Sequence, residues 1–188
     1  MKIETTTKMN GVDVQRLQET IAAVKASPEL GRFVFHIDNQ WIDGGANRSH
    51  VQEFYGSGRT QSHKKCFLLA ADEPEVLLSG DTGANPVEHL LHALVSCVTT
   101  SMVYHAAARG IEIEEVESSL EGDLDLRGFM GLDPTVRNGY RHLRLRLRIR
   151  ANASDEQLKE IGNLGPMFSP VYDTLLKGVP ISVAAERL

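Results

Sequence analysis

The chain has two cysteines, Cys66 and Cys97, and the second sits where a thiol could do chemistry. It lies within Leu94-Val95-Ser96-Cys97-Val98, midway along a segment that reads as a long apolar helix. Two readings stand side by side. A free cysteine packs as a small hydrophobe. A thiolate is a nucleophile, and in mid-helix it needs a cation from elsewhere in the fold, because the helix dipole fades within the first turn. Arginine suits that role best, being permanently charged and forked. The same segment carries Glu88, His89, His92 and His105. His89 and His92 share a helix face and could open a metal site, but HExxH and a third ligand are both missing, so no metal is expected. Glu88 and His92, four apart, suit a surface pair. No GxSxG, P-loop or dinucleotide fingerprint occurs, and no cofactor is expected.

A second constellation is the row Arg144, Arg146, Arg148 and Arg150, interleaved with Leu143, Leu145, Leu147 and Ile149. Period two means a half-buried strand with its arginines on one face. Upstream, Glu112, Glu114, Glu115, Glu117, Glu121, Asp123 and Asp125 come without a base until Arg127. Opposite charges across a ladder are favourable, so the acidic segment is the expected partner strand. The other reading, a row for phosphate or nucleic acid, is opposed by those acids.

Elements must hold these groups in place. At 188 residues the chain is about one domain on the usual scale of ~100–200 residues. Twenty Lys and Arg against 25 Asp and Glu give a net charge of −5, which argues against general nucleic-acid binding. No apolar run approaches the ~20 residues that cross a bilayer. The opening residues carry no signal-peptide core and are expected to be loose up to Asn10. Without CxxC, a disulfide scaffold and a cysteine zinc site are excluded, and a cytoplasmic home is expected.

Asp13 should cap a helix with Val14, Leu17, Ile21 and Val24 on one face, ended by Ser27-Pro28. Strands follow from Arg32 to about Trp41, from Ser49 to Tyr55, and from Cys66 to Ala70; Asp43-Gly44-Gly45 turns the first two into a hairpin. Asn85-Pro86 opens the strongest helix, running to Gly110. Apolar nearly all round, it is expected to be buried on most faces, central, and shared with a second subunit. After the acidic and arginine strands, Ser154 to Gln157 forms a capping box for a helix over Asp155 to Gly162. A short helical turn is expected after Ser169-Pro170, and a last strand over Val179 to Ala185. Strands and helices cluster instead of alternating, which means α+β.

Thr82-Gly83-Ala84-Asn85-Pro86-Val87-Glu88-His89-Leu90-Leu91, running on to Ser96-Cys97, resembles the central-helix signature of the OsmC/Ohr family. These are the osmotically inducible and organic hydroperoxide resistance proteins. Phe168-Ser169-Pro170-Val171, then Thr174-Leu175 and Gly178-Val179-Pro180-Ile181, is similar to that family's C-terminal segment. The resemblance runs from about Phe33 to Leu188. It suggests an N-terminal tail and helical extension over 1–31 ahead of an OsmC-like domain over 32–188.

The resemblance implies an OsmC-like fold, with antiparallel sheets around the long helix in an intertwined homodimer. In peroxidatic members a first cysteine attacks an organic hydroperoxide and becomes a sulfenic acid. A second cysteine then closes a disulfide that a dithiol opens, and an arginine and a glutamate flank the first. Carried across, Cys97 takes the peroxidatic position and Arg48 that of the arginine, with Arg59 in reserve. Glu88 takes the acid's role, one residue later than the family register, where this chain has Val87. Leu91, Leu94, Met102 and Phe168 would wall a cleft that favours alkyl peroxides.

Ser169 stands in the second-cysteine slot, and a hydroxyl cannot form a disulfide. An external thiol reductant could resolve oxidised Cys97, or Cys66 could substitute. Otherwise the peroxidase is absent, and the interface cleft binds a small apolar or electrophilic ligand or senses redox state. The implied function is a thiol-dependent peroxidase that reduces small-molecule hydroperoxides in oxidative-stress defence.

Overall fold

Asn10-Gly11 sets the first feature of the computed structural model, which describes residues 8–188. Both residues have positive φ, 52° and 77°, the backbone that Asn-Gly adopts in a tight hairpin. They join β1 (Lys8–Met9) to β2 (Val12–Asp13). The expected loose start is therefore corrected from Lys8 to Asn10, and its remainder, 1–7, lies outside the described residues. The chain divides into two compact units. Asp13–Leu90 with Lys8 belongs to the first, and Met9–Val12 with Leu91–Leu188 forms the second.

In the first unit, α1 (Val14–Ala26) starts as expected, with the Asp13 carboxylate accepting from the Arg16 backbone N–H. β5 (Ala46–Gly56) is the middle of a four-stranded antiparallel sheet. β3 (Val34–Phe35) and β4 (Asp38–Asp43) pair with it in turn, and β6 (Arg59–Ala71) also pairs with it. The single strand expected from Arg32 to Trp41 is thus two. The third strand begins at Arg59 and not at Cys66, because the turn at Ser57-Gly58 starts the ladder to β5 at once. The polar stretch before Cys66 lacks an apolar alternation, so pattern reading passed over it.

α2 (Pro86–Ala108) starts in the first unit and runs through the second. It is the one helix among the described residues long and apolar enough, by length and composition alone, to cross a membrane. The chain itself buries only one stripe of it: Leu94, Val98, Met102, Ala106 and Ala107. Leu90 and Tyr104 stay 36% and 48% exposed. Burial on most faces is therefore corrected.

The second unit continues with β7 (Glu115–Asp123), α3 (Leu126–Phe129), β8 (His142–Arg150), α4 (Asp155–Phe168) and α5 (Pro170–Lys177). β7 and β8 form an antiparallel ribbon in which Glu115 faces Arg150, Glu117 faces Arg148 and Glu121 faces Arg144. All three are ion pairs, so the arginine row finds the acidic strand it was expected to face. Exposed pairs of this kind fix register more than they add stability. The inner face brings Val116, Leu147 and Ile149 against a buried cluster of Met102, Ala106, Ile161 and Leu164. Fully burying a side chain such as Met102 or Ile161 stabilises a fold by about 1.5–3 kcal/mol.

Two boundaries differ from expectation. α4 has the expected Ser154 capping box but runs past Gly162 to Phe168, because Leu164 and Gly165 are buried and packing carries the helix on. The expected last strand over Val179 to Ala185 is not formed. Val179, Ile181 and Val183 are 58%, 82% and 90% exposed. No strand among the described residues pairs with them.

Candidate functional site

The first unit supplies the start of α2. Asp72, at the end of β6, is 1% exposed and accepts four hydrogen bonds. The donors are Ser79 Oγ (2.6 Å), Thr82 Oγ1 (2.8 Å) and the backbone N–H groups of Thr82 (3.0 Å) and Glu73 (2.8 Å). The Ser79 hydroxyl leads, with Thr82 next, in holding the Asp72 carboxyl far below the usual carboxylate range. This network pins the loop that leads into Asn85. There Asn85 Oδ1 accepts from the Glu88 N–H at 2.8 Å, and Glu88 Oε2 accepts from the Asn85 N–H at 2.9 Å. This reciprocal capping box gives the Glu88 carboxylate a structural task.

Within the same unit the sheet distinguishes the two candidate arginines. Arg48, exposed on β5, faces Ala70 of β6. The Ala70 carbonyl lies 2.9 Å from His89 Nε2, on the first turns of α2. A Cβ on Gly83 would stand 2.9 Å from that same oxygen, so glycine is needed there. Arg48 therefore sits at the end of the ladder that carries the helix start. Arg59 faces Gly56 at the opposite end. Arg48 makes no ion pair among the described residues. Cys66 is exposed on β6, a free thiol like Cys97.

The second unit carries the thiol. Cys97 is half-buried on α2. Its neighbour Val98 is fully buried under α4, where a Cβ on Gly165 would lie 2.7 Å from Val98 Cγ1 and 2.8 Å from Val98 O. Gly165 thus lets two helix backbones meet beside the cysteine. One turn on from Cys97, Ser101 Oγ donates to Phe168 O at 3.4 Å. Ser169 follows, 1% exposed. Its Oγ accepts from the Tyr172 N–H at 3.1 Å, which makes it the N-cap of α5.

The expected cleft residues separate by burial. Met102 has no exposed surface and belongs to the core cluster, Leu94 is 5% exposed, and Leu91 is half-buried. Phe168 is 39% exposed. Its ring stacks on His105 with centroids 3.6 Å apart and planes at 11°. The Arg109 guanidinium lies 5.6 Å from the ring centroid, and Arg109 Nη1 is 3.3 Å from His105 Nδ1. Burial first, and the Arg109 charge second, push the His105 imidazole below its ordinary value. Sequence reading missed this cluster, although Cys97, Ser101, His105 and Arg109 recur at a spacing of four. Among the described residues no group of three or more His, Cys, Asp or Glu is placed to hold a metal.

A family model described as "OsmC-like protein" matches residues 79–184. Among solved structures, an OsmC-like protein from Mycoplasma pneumoniae aligns with a TM-score of 0.59 at 20% identity, over 78% of this chain and 89% of that one. An organic hydroperoxide resistance protein OsmC from Legionella pneumophila aligns with a TM-score of 0.51 at 15% identity, over 76% and 90%. Likenesses at this identity concern the fold. No curated protein matches the chain in sequence.

The Asp72 network carries a pH signature. Its folded carboxyl is depressed, so its stabilisation is complete above the ordinary value of about 4 and is lost as pH falls below it. Asp72→Asn should lower the urea midpoint clearly at about pH 7, and the gap to wild type should shrink towards about pH 3. A gap independent of pH would contradict this.

Proposed function

Since the chain belongs to the OsmC-like protein family, we propose that it is a thiol-dependent peroxidase that reduces organic hydroperoxides at Cys97. The observation that carries this reading is the setting of Cys97. It is half-buried on α2 beside the Gly165 contact, one turn from the Ser101–Phe168 hydrogen bond that adjoins the second-cysteine slot. In the reaction the Cys97 thiolate attacks one peroxide oxygen. An S–O bond forms, the O–O bond breaks, and the alkoxide leaves and takes a proton to become an alcohol. Arg48 is the cation proposed to favour the thiolate, with the Glu88 role carried over from the family resemblance alone.

The product at Cys97 is a sulfenic acid. Ser169 offers no thiol and is held as a helix cap. An external thiol therefore condenses with the sulfenic acid, releasing water and leaving a mixed disulfide. A second thiol takes over that disulfide and returns Cys97 to its reduced form. The proposed setting is a reducing cytoplasm, and the proposed role is oxidative-stress defence.

We further propose that the working form is a homodimer. The uncovered faces support it: Phe35, Trp41 and Leu68 on the sheet are 75%, 68% and 61% exposed. The apolar tail from Val179 has no strand partner among the described residues. A second reading, a dimer that binds a small apolar or electrophilic ligand without reducing peroxide, is favoured by the structural role of Ser169.

Light scattering should give twice the 20.7 kDa chain mass, and a monomer would remove the shared site. After one equivalent of an alkyl hydroperoxide with a sulfenic-acid trap present, peptide mass spectrometry should find the adduct on Cys97. An unmodified Cys97 in folded protein would favour the ligand-binding reading.

A further inference from the structure

In the second unit, the loop over residues 124–141 joins β7 to β8 and contains α3. Leu126, Phe129, Met130 and Leu132 are 39%, 69%, 54% and 70% exposed there. Large apolar side chains gathered on one exposed loop mark an interaction surface. The loop beneath them is pinned. The Arg141 N–H donates to Asp123 O at 2.8 Å and closes its base. A Cβ on the buried Gly128 would lie 2.5 Å from Arg137 O and 3.0 Å from Val136 O, so the two arms of the loop meet there.

Backbone donors around these side chains are already spent inside the loop. The Arg127 N–H goes to Asp125 Oδ1, that of Gly128 to Asp125 O, and that of Met130 to Leu126 O. The Gly131 N–H goes to Gly128 O and the Leu132 N–H to Arg127 O. Such a loop offers no row of donors to a protein strand. It can enter a lipid interface without stripping water from unpaired N–H groups. Charge points the same way. The loop holds Arg127, Arg137 and Arg141 against Asp125 and Asp133. Asp125 Oδ2 accepts from Arg127 Nη2 at 2.7 Å and from Arg141 Nη2 at 3.0 Å, and Asp133 Oδ2 lies 3.7 Å from Arg127 Nη1. The carboxylates are the sheltered partners, 21% and 33% exposed, against 57% for Arg127 and 49% for Arg141. Arg137 is exposed and makes no ion pair among the described residues.

We propose that this loop is a membrane-docking surface: Phe129, Met130 and Leu132 enter the headgroup region of an anionic bilayer, and Arg127, Arg137 and Arg141 meet the lipid phosphates. A few apolar side chains beside guanidiniums on long apolar stems are the composition of an interfacial anchor. The whole chain carries a net charge of −5 and is repelled by an anionic surface, so the contact has to be oriented. Docking of this kind is independent of the chemistry at Cys97.

Flotation of the full chain with vesicles tests it. Wild type should rise with vesicles of phosphatidylcholine and phosphatidylglycerol, and far less with phosphatidylcholine alone. Added salt should weaken the anionic binding, because screening removes the arginine share. Phe129→Ser combined with Leu132→Ser should lower the partition coefficient roughly tenfold or more, given what one large apolar side chain gains on leaving water. Arg137→Gln, which leaves the apolar side chains intact, should cost about fivefold on the anionic vesicles and nothing on the neutral ones. No flotation, equal flotation with both vesicles, or variants that float like wild type would overturn the proposal. So would a double variant whose light-scattering mass halves, since a second copy of this chain would then be what covers the surface.

Discussion

A Cβ built on Gly165 would fall 2.7 Å from Val98 Cγ1 and 2.8 Å from the Val98 carbonyl oxygen. α4 can lie against α2 at this point only because residue 165 has no side chain. The remaining arrangement of the second unit follows from that contact. It buries Val98 completely and sets Ile161 and Leu164 against Met102 and Ala106. It also delivers the end of α4 to the face of α2 that carries Cys97, Ser101 and His105. Helix backbones seldom come this close, and when they do the small residue is the requirement.

The second consequence concerns Ser169. It is buried and caps α5 through the Tyr172 N–H. A serine hydroxyl is among the best N-cap acceptors, whereas a thiol is a weak one. On the proposed assignment of Ser169 to the second-cysteine slot, serine in place of cysteine trades a redox partner for a firmer helix start. That trade leaves one thiol on this face of the chain. It turns the proposed cycle from an internal disulfide to one that consumes outside thiols.

Much of the fold was legible because it rests on local chemistry. Asn85-Pro86 announced α2, and the strict alternation from Leu143 to Arg150 announced β8 and its acidic partner. Ser154 was readable as a cap from the residues after it, and Ser169-Pro170 as the point after which a short helical turn follows. The misses have tertiary causes. α4 outruns Gly162 because α2 and the ribbon cover it. The tail from Val179 has strand composition but no strand among the described residues to pair with. α2 is apolar all round, yet one chain covers a single stripe. At the candidate site, the position of Cys97 on a long helix could be read directly. The burial of Leu94 and Met102 could not, since composition does not say which side of an apolar helix faces the core. The Asp72 network was not legible, because its donors Ser79 and Thr82 come together through a loop with Leu78 and Asp81 at positive φ.

In the proposed site, the α2–α4 contact brings Ser169 to the Cys97 face, so that a thiol in place of its hydroxyl would close an internal disulfide. Ser169→Cys tests it most directly. After one equivalent of an alkyl hydroperoxide, peptide mass spectrometry under non-reducing conditions should show Cys97 joined to the introduced thiol. If Cys97 is instead left as a trapped sulfenic acid or unmodified, with the new thiol free, the account of this site is contradicted.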